Sequence, residues 1–135
     1  MTMDVTIELS EAQIDSIEQL LTRSLVDIGV NTVLLIDLAG NILISLSDGR
    51  AQYDVYSLAA LAAGNFGAVS EIAKIIGEPG FSLLFHKGEK ESIHFSSVDK
   101  DLLLITIFGK DISLGFVRLK VGEAVSKIQS LIKNV

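Results

Sequence analysis

The chain is 135 residues long, with 17 acidic residues against 11 Lys and Arg, a formal net charge of −6 and no cysteine. That length suits one domain with a real core and is short for two, while the acidic balance withholds the positive footprint that nucleic acid or an anionic membrane requires. The lack of cysteine excludes a disulfide framework, a thiol nucleophile and cysteine-ligated zinc or iron–sulfur sites, and suits a reducing cytoplasm.

Met1 to Ser10 has neither a basic start nor an apolar run of export-signal length; the alternation Val5, Ile7, Leu9 reads as a short strand or tail over 1–9. Ser10 with Gln13 forms a capping box, and Leu9 with Ile14 a hydrophobic staple. Ile14, Ile17, Leu21, Leu25 and Ile28 recur at helical spacing, and Gly29 ends the helix. Thr32 to Asp37 and Ile42 to Ser47 are β-rich runs joined by Leu38-Ala39-Gly40-Asn41, which predicts a hairpin.

A polar loop then leads to Asp54 as N-cap of a long helix over Val55 to Ile76, stopped by Gly77 with Pro79 beyond. Asn65, Glu71 and Lys74 within it argue against a membrane span. Three further strands follow, Phe81 to His86, Ser92 to Val98 and Leu102 to Phe108, joined by Lys87 to Lys90 and Asp99 to Asp101. A last helix begins near Ser113 and carries Leu114, Val117, Val121, Val125, Ile128 and Leu131 on one face. The order is α-β-β-α-β-β-β-α, read as one α/β (α+β) domain over 10–135 with an antiparallel sheet. Val33 to Ile36 and Leu102 to Ile105 are apolar at both parities, so helices are expected on both sheet faces.

At 100° per residue, Val55, Leu58, Ala62, Val69, Ile72, Ala73 and Ile76 form the sheet-facing side of the long helix. Tyr56, Ala60, Ala63, Gly64, Gly67, Ser70, Glu71 and Lys74 form the other side, whose middle is small and nearly uncharged. Each glycine costs about 1 kcal/mol of helix propensity relative to Ala, which suggests close approach of a second backbone. Asn65 borders the core face, where its amide is expected to satisfy a loop carbonyl. With 49% hydrophobic residues and a mean hydropathy of +0.50, the chain has more apolar surface than its core needs, which also points to an interface.

Catalytic and metal-binding patterns are weak throughout. The only Gly-Lys pair, Gly109-Lys110, has Leu104 and Asp111 where a phosphate loop needs Gly and Ser or Thr. With a four-residue loop at Lys87 to Lys90, His86 pairs with Glu91, and His94 points to the opposite sheet face, so the two histidines hold no metal together. Arg50 stands in a Gly-containing loop as a mobile, solvated charge that could reach a partner's site. Arg118 is expected to tether the last helix to a carboxylate or a carbonyl. Asp99 and Asp101 read as turn residues, and no Ser-His-Asp set is evident. No catalytic residue, cofactor or metal site is expected.

Three stretches together resemble the roadblock/LC7 domain family, in the branch of bacterial gliding and polarity proteins: Val33-Leu34-Leu35-Ile36-Asp37-Leu38-Ala39-Gly40-Asn41-Ile42-Leu43, Leu58-Ala59-Ala60-Leu61-Ala62-Ala63-Gly64-Asn65, and Leu114-Gly115-Phe116-Val117-Arg118-Leu119. The resemblance runs from Ser10 onward. It implies a roadblock (profilin-like) fold, a five-stranded antiparallel sheet with one long helix on one face and two on the other. It also implies a homodimer in which the long helices lie together and the third strands pair across the axis, bringing Tyr56, Ala60, Ala63, Gly64, Gly67, Glu71, Phe81, Leu83 and Phe85 to the interface. The implied partner is a Ras-like small GTPase whose hydrolysis the dimer regulates. Two alternatives are a structural adaptor like the dynein light chains, which share the fold, and a small-ligand sensor with a pocket between sheet and helix.

Overall fold

The computed structural model describes residues 9–50, 52–81 and 84–133. In chain order the elements are α1 (Glu11–Leu21), β1 (Thr32–Asp37), β2 (Ile42–Ser47), α2 (Val55–Ile75), β3 (Leu84–Lys87), β4 (Glu91–Asp99), β5 (Leu102–Gly109) and α3 (Leu114–Lys133). The strands form one antiparallel sheet in the order β2-β1-β5-β4-β3. Helix α2 lies on one face, α1 and α3 on the other.

β1 and β5 run through the middle, and their apolar runs explain both layers. Val33 to Ile36 and Leu102 to Ile105 are all fully buried. Alternate residues divide by the period of the strand. Val33, Leu35, Leu102 and Leu104 join Ile17, Leu21 and Leu25 of the first helical segment and Val117, Val121 and Ile128 of α3. Leu34, Ile36, Leu103 and Ile105 join Ala59, Ala62 and Ala63 of α2.

The local signals at the helix ends hold. Ser10 and Gln13 exchange both capping-box hydrogen bonds, and the Asp54 carboxylate accepts from the Ser57 hydroxyl and backbone N–H, which hold it below the ordinary carboxylate range. The first helix does not run regularly to Ile28, however: after Leu21 it widens into a π turn over Thr22–Val26 before Gly29 reverses the chain at φ +113°.

In the β1–β2 hairpin, the Asp37 carboxylate accepts from the backbone N–H groups of Ala39 and Asn41. Gly40 adopts φ +92°, and a Cβ there would lie 3.1 Å from the Ala60 Cα, so the hairpin tip rests directly on α2.

The β3–β4 register corrects the expected one. The structure describes β3 as Leu84–Lys87, with Phe81 ahead of the strand and Leu83 outside the described residues. Lys87 stays in the ladder opposite Ser92, so His86 pairs with Ile93 and not with Glu91. The turn tightens to Gly88–Glu91 because Gly88 approaches the Glu91 carbonyl to a degree that a Cβ, which would lie 2.4 Å away, forbids. His94 pairs with Phe85 and still points away from His86. It is buried on the α3 face, and its Nδ1 has no hydrogen-bond partner among the described residues.

A polar clasp closes the sheet end from which α2 departs. The Arg50 guanidinium donates to the Asp48 carboxylate, the Asn31 side-chain oxygen and, at 2.8 Å, the Gly29 carbonyl. The buried Asn31 donates its amide to Glu91. Arg50 is thus not a mobile solvated charge. The Asp48 carboxylate holds its pKa above the ordinary value, and the Arg50 backbone N–H, foremost, holds Asp48 below its own. Residues far apart in sequence, at the ends of the first helical segment, β2 and the β3–β4 turn, are tied at one point.

Two outcomes follow. Replacing Arg50 by Ala should leave the sheet amides protected but speed hydrogen exchange at Val55 to Leu58 about tenfold or more, read by mass spectrometry. Burial, foremost, and the nearby Arg118 charge hold His94 below its ordinary pKa of 6.5. The unfolded chain therefore takes up this proton first as pH falls, and the contribution to stability present above about 6.5 is lost below it. Urea denaturation at pH 7.5 and 5.5 should show that loss, and His94→Leu should reduce it.

Candidate functional site: the outer face of the long helix

One helix cannot cover one face of this sheet. Five strands about 4.8 Å apart span roughly 19 Å between their outer axes, and a helix with its side chains is about 10 Å across. α1 and α3 together match that width on their face. α2, alone on the other, approaches β1 and β2 most closely. On the uncovered side, Leu84 and Ile93 are only partly buried and His86 is exposed.

Two contacts orient α2. Its Ala60 flank rests on Gly40 of the β1–β2 hairpin. Its Asn65 flank faces β3, where the Asn65 amide lies 3.3 Å from His86 Nε2; the expected loop carbonyl is replaced by this side chain. The buried residues are Ala59, Ala62, Ala63 and Ala73. Ala63, expected on the outer face, is thus part of the core: small side chains let α2 sit close to the sheet, and the buried arc widens to include it. Ile72 and Ile76, expected in the core, are 52% and 61% exposed. They stand on the last turns of α2, on the flank that overhangs the uncovered strands.

The outward surface is more apolar than its small residues suggested. Leu61 is 73% exposed, Ile75 84% and Tyr56 79%. Gly64 and Gly67 face open space, where an added Cβ would meet nothing within 4 Å. Ala60 and Glu71 are also exposed. The two charges of α2, Glu71 and Lys74, pair with each other at 2.7 Å, leaving the strip between Leu61 and Ile75 without free charge. α2 is long and apolar enough to cross a membrane by length and composition, but four of its alanines pack on the sheet of this domain. Beyond the helix, Phe81 is 43% exposed, and Phe85 is partly buried, stacked on Phe108 on the α3 face. Phe85 therefore points to the sheet face opposite α2.

Elsewhere, Val117 of the last-helix motif is buried, while Phe116, Leu119 and Arg118 are exposed. Arg118 forms no ion pair or hydrogen bond among the described residues, contrary to the expected tether. The described residues include no cluster of three His, Asp or Glu placed to hold a metal. A hollow of about 550 Å³ opens beneath the start of α2, floored by Leu58, Ile93 and Ile107 and rimmed by Tyr53 and Glu91. The tyrosine hydroxyl is raised above its ordinary pKa by burial and by the Glu91 charge. The sequence held a signal for the exposed strip: Leu61, Gly64, Ala68, Ile72 and Ile75 recur at helical steps of three and four.

Comparison with known proteins agrees with this architecture. The family model of the Roadblock/LC7 domain matches residues 16–108, more than half of the chain. The gliding protein MglB of Thermus thermophilus superposes with a TM-score of 0.87 at 26% identity, over 98% of this chain and 100% of that one. Myxococcus xanthus MglB superposes with a TM-score of 0.85 at 31% identity, over 94% and 95% of the two chains. Acanthamoeba castellanii profilin IA, at 16% identity and a TM-score of 0.58 over 83% and 95%, shares the fold alone. The order of elements, the five-stranded sheet and the match over 16–108 together place this chain in the roadblock/LC7 domain family.

Proposed function

We propose that this protein is a non-catalytic homodimeric regulator of a Ras-like small GTPase. The observation that carries the reading is the outer face of α2: a helix too narrow for its sheet, with exposed Leu61, Ile72 and Ile75 and no unpaired charge between them. A large apolar patch on a small domain marks a surface that another protein covers. The whole-length likeness to two MglB proteins supports the gliding and polarity branch of the family, and it is this branch that the resemblance links to a small GTPase.

The dimer joins α2 to α2, with β3 at the shared edge, and the GTPase docks on the composite surface. The regulator acts by pressing on the GTPase's mobile segments and brings no reacting group of its own. Arg50, bound into its clasp, supplies structure and not a catalytic charge.

Light scattering of the purified chain should give about twice its 14.5 kDa mass, and Gly64→Glu, which sets a charge in the apolar strip, should return it to monomers. A Ras-like GTPase encoded beside this gene should bind the dimer in its GTP form and not its GDP form, with phosphate release at least tenfold faster. If the GTP form of every such candidate fails to bind, the GTPase reading falls; recovery of scaffold proteins alone in a pull-down would favour the adaptor reading.

A further inference from the structure

We infer that two copies of α2 pack antiparallel about a two-fold axis at Ala68, with Ile72 of each helix seated in the space over Gly64 of the other. The inference rests on the homodimer proposed above and specifies its register.

The exposed strip is symmetric about one residue. Gly64 and Ile72 stand four positions on either side of Ala68, and Leu61 and Ile75 stand seven on either side. These offsets return to one helix face. A two-fold axis exchanges the partners in each contact, so that i meets j and j meets i. An antiparallel pair centred on Ala68 therefore sets Leu61 against Ile75, Gly64 against Ile72, and Ala68 against its own copy.

Each pairing suits the residues that form it. Leu61 and Ile75, at 73% and 84% exposure, would cover each other at both ends of the contact. Ile72, half exposed, meets a glycine over which nothing lies within 4 Å, so a bulky side chain faces a hole. Ala68 lets the axes approach at the crossing. A parallel pair would instead set glycine against glycine and Ile72 against Ile72, leaving a void beside a crowded contact. Shifting the axis by one turn to Gly64 would pair Leu61 with Gly67, leaving Ile72 and Ile75 beyond the end of the partner's helix and in water.

This chain has no cysteine, so an introduced one is unique. Helix axes about 8 Å apart bring facing Cα atoms within the roughly 4–7 Å that a disulfide spans. Ala68→Cys should form a disulfide-linked dimer on mild oxidation. Leu61→Cys and Ile75→Cys should cross-link with each other when co-expressed and not when present alone. Gly64→Leu improves helix propensity, yet should weaken dimerisation at least tenfold by sedimentation, with Ile72→Ala in the same chain restoring it. A chain that light scattering finds monomeric overturns both this register and the homodimer beneath it. A dimer that fails to cross-link at position 68, or cross-links with itself at 61 or 75, overturns the register and leaves the homodimer standing.

Discussion

A five-stranded sheet is about two helices wide, and this chain supplies two helices to one face and one to the other. The central strands β1 and β5 are buried on both faces, so each face must be covered. Where α1 and α3 do this together, apolar residues of three elements close into one core. Where α2 does it alone, the layer ends above the middle of the sheet and leaves apolar side chains on the helix and on β3 and β4 partly in water. Burial of such side chains is worth roughly 25 cal/mol per Å², which gives a second protein a reason to be there. Association thus completes an unfinished layer of the fold.

The same constraint explains the composition of α2. A helix that must approach the sheet closely on one side and another helix on the other can carry few long side chains near its middle. Ala59, Ala62 and Ala63 serve the first contact, and Ala60, in van der Waals reach of Gly40, lets the β1–β2 hairpin close over its flank. The two glycines weaken the isolated helix, while the Asp54 cap and the Arg50 clasp hold its first turn from outside. The clasp uses almost every polar group of Asn31: its backbone N–H donates to the Ile107 carbonyl, its carbonyl accepts from Asp48, and its side chain both gives and receives.

Much of this was legible in the sequence because local signals decide it. The Ser10–Gln13 box, the Gly40 turn and the Gly77 stop each fix the backbone within a few residues. The doubly apolar runs in β1 and β5 disclosed a sheet covered on both sides. The face of α2 was legible only in part, since a helical wheel sends every isoleucine inward and cannot show where the sheet stops. Ile72 and Ile76 were misplaced for that reason, and Ala63 because its small size suits either side. The β3–β4 register turned on a single carbonyl beside Gly88, and the clasp on residues distant in sequence, neither of which periodicity records.

The π turn at Thr22–Val26 has a consequence of its own. Ile17, Leu21 and Leu25 recur every four residues, a spacing that in a regular α-helix drifts by about 40° at each step. A wider turn advances less per residue and swings Leu25 back over the sheet, where it is fully buried. Such a turn is what an α-helix becomes on gaining one residue. Removing one would restore the regular ladder and rotate everything before it by about 100°, carrying Ile17 and Leu21 out of the core. The irregular turn is therefore a phase correction, and the helix tolerates changes of side chain there better than a change in length.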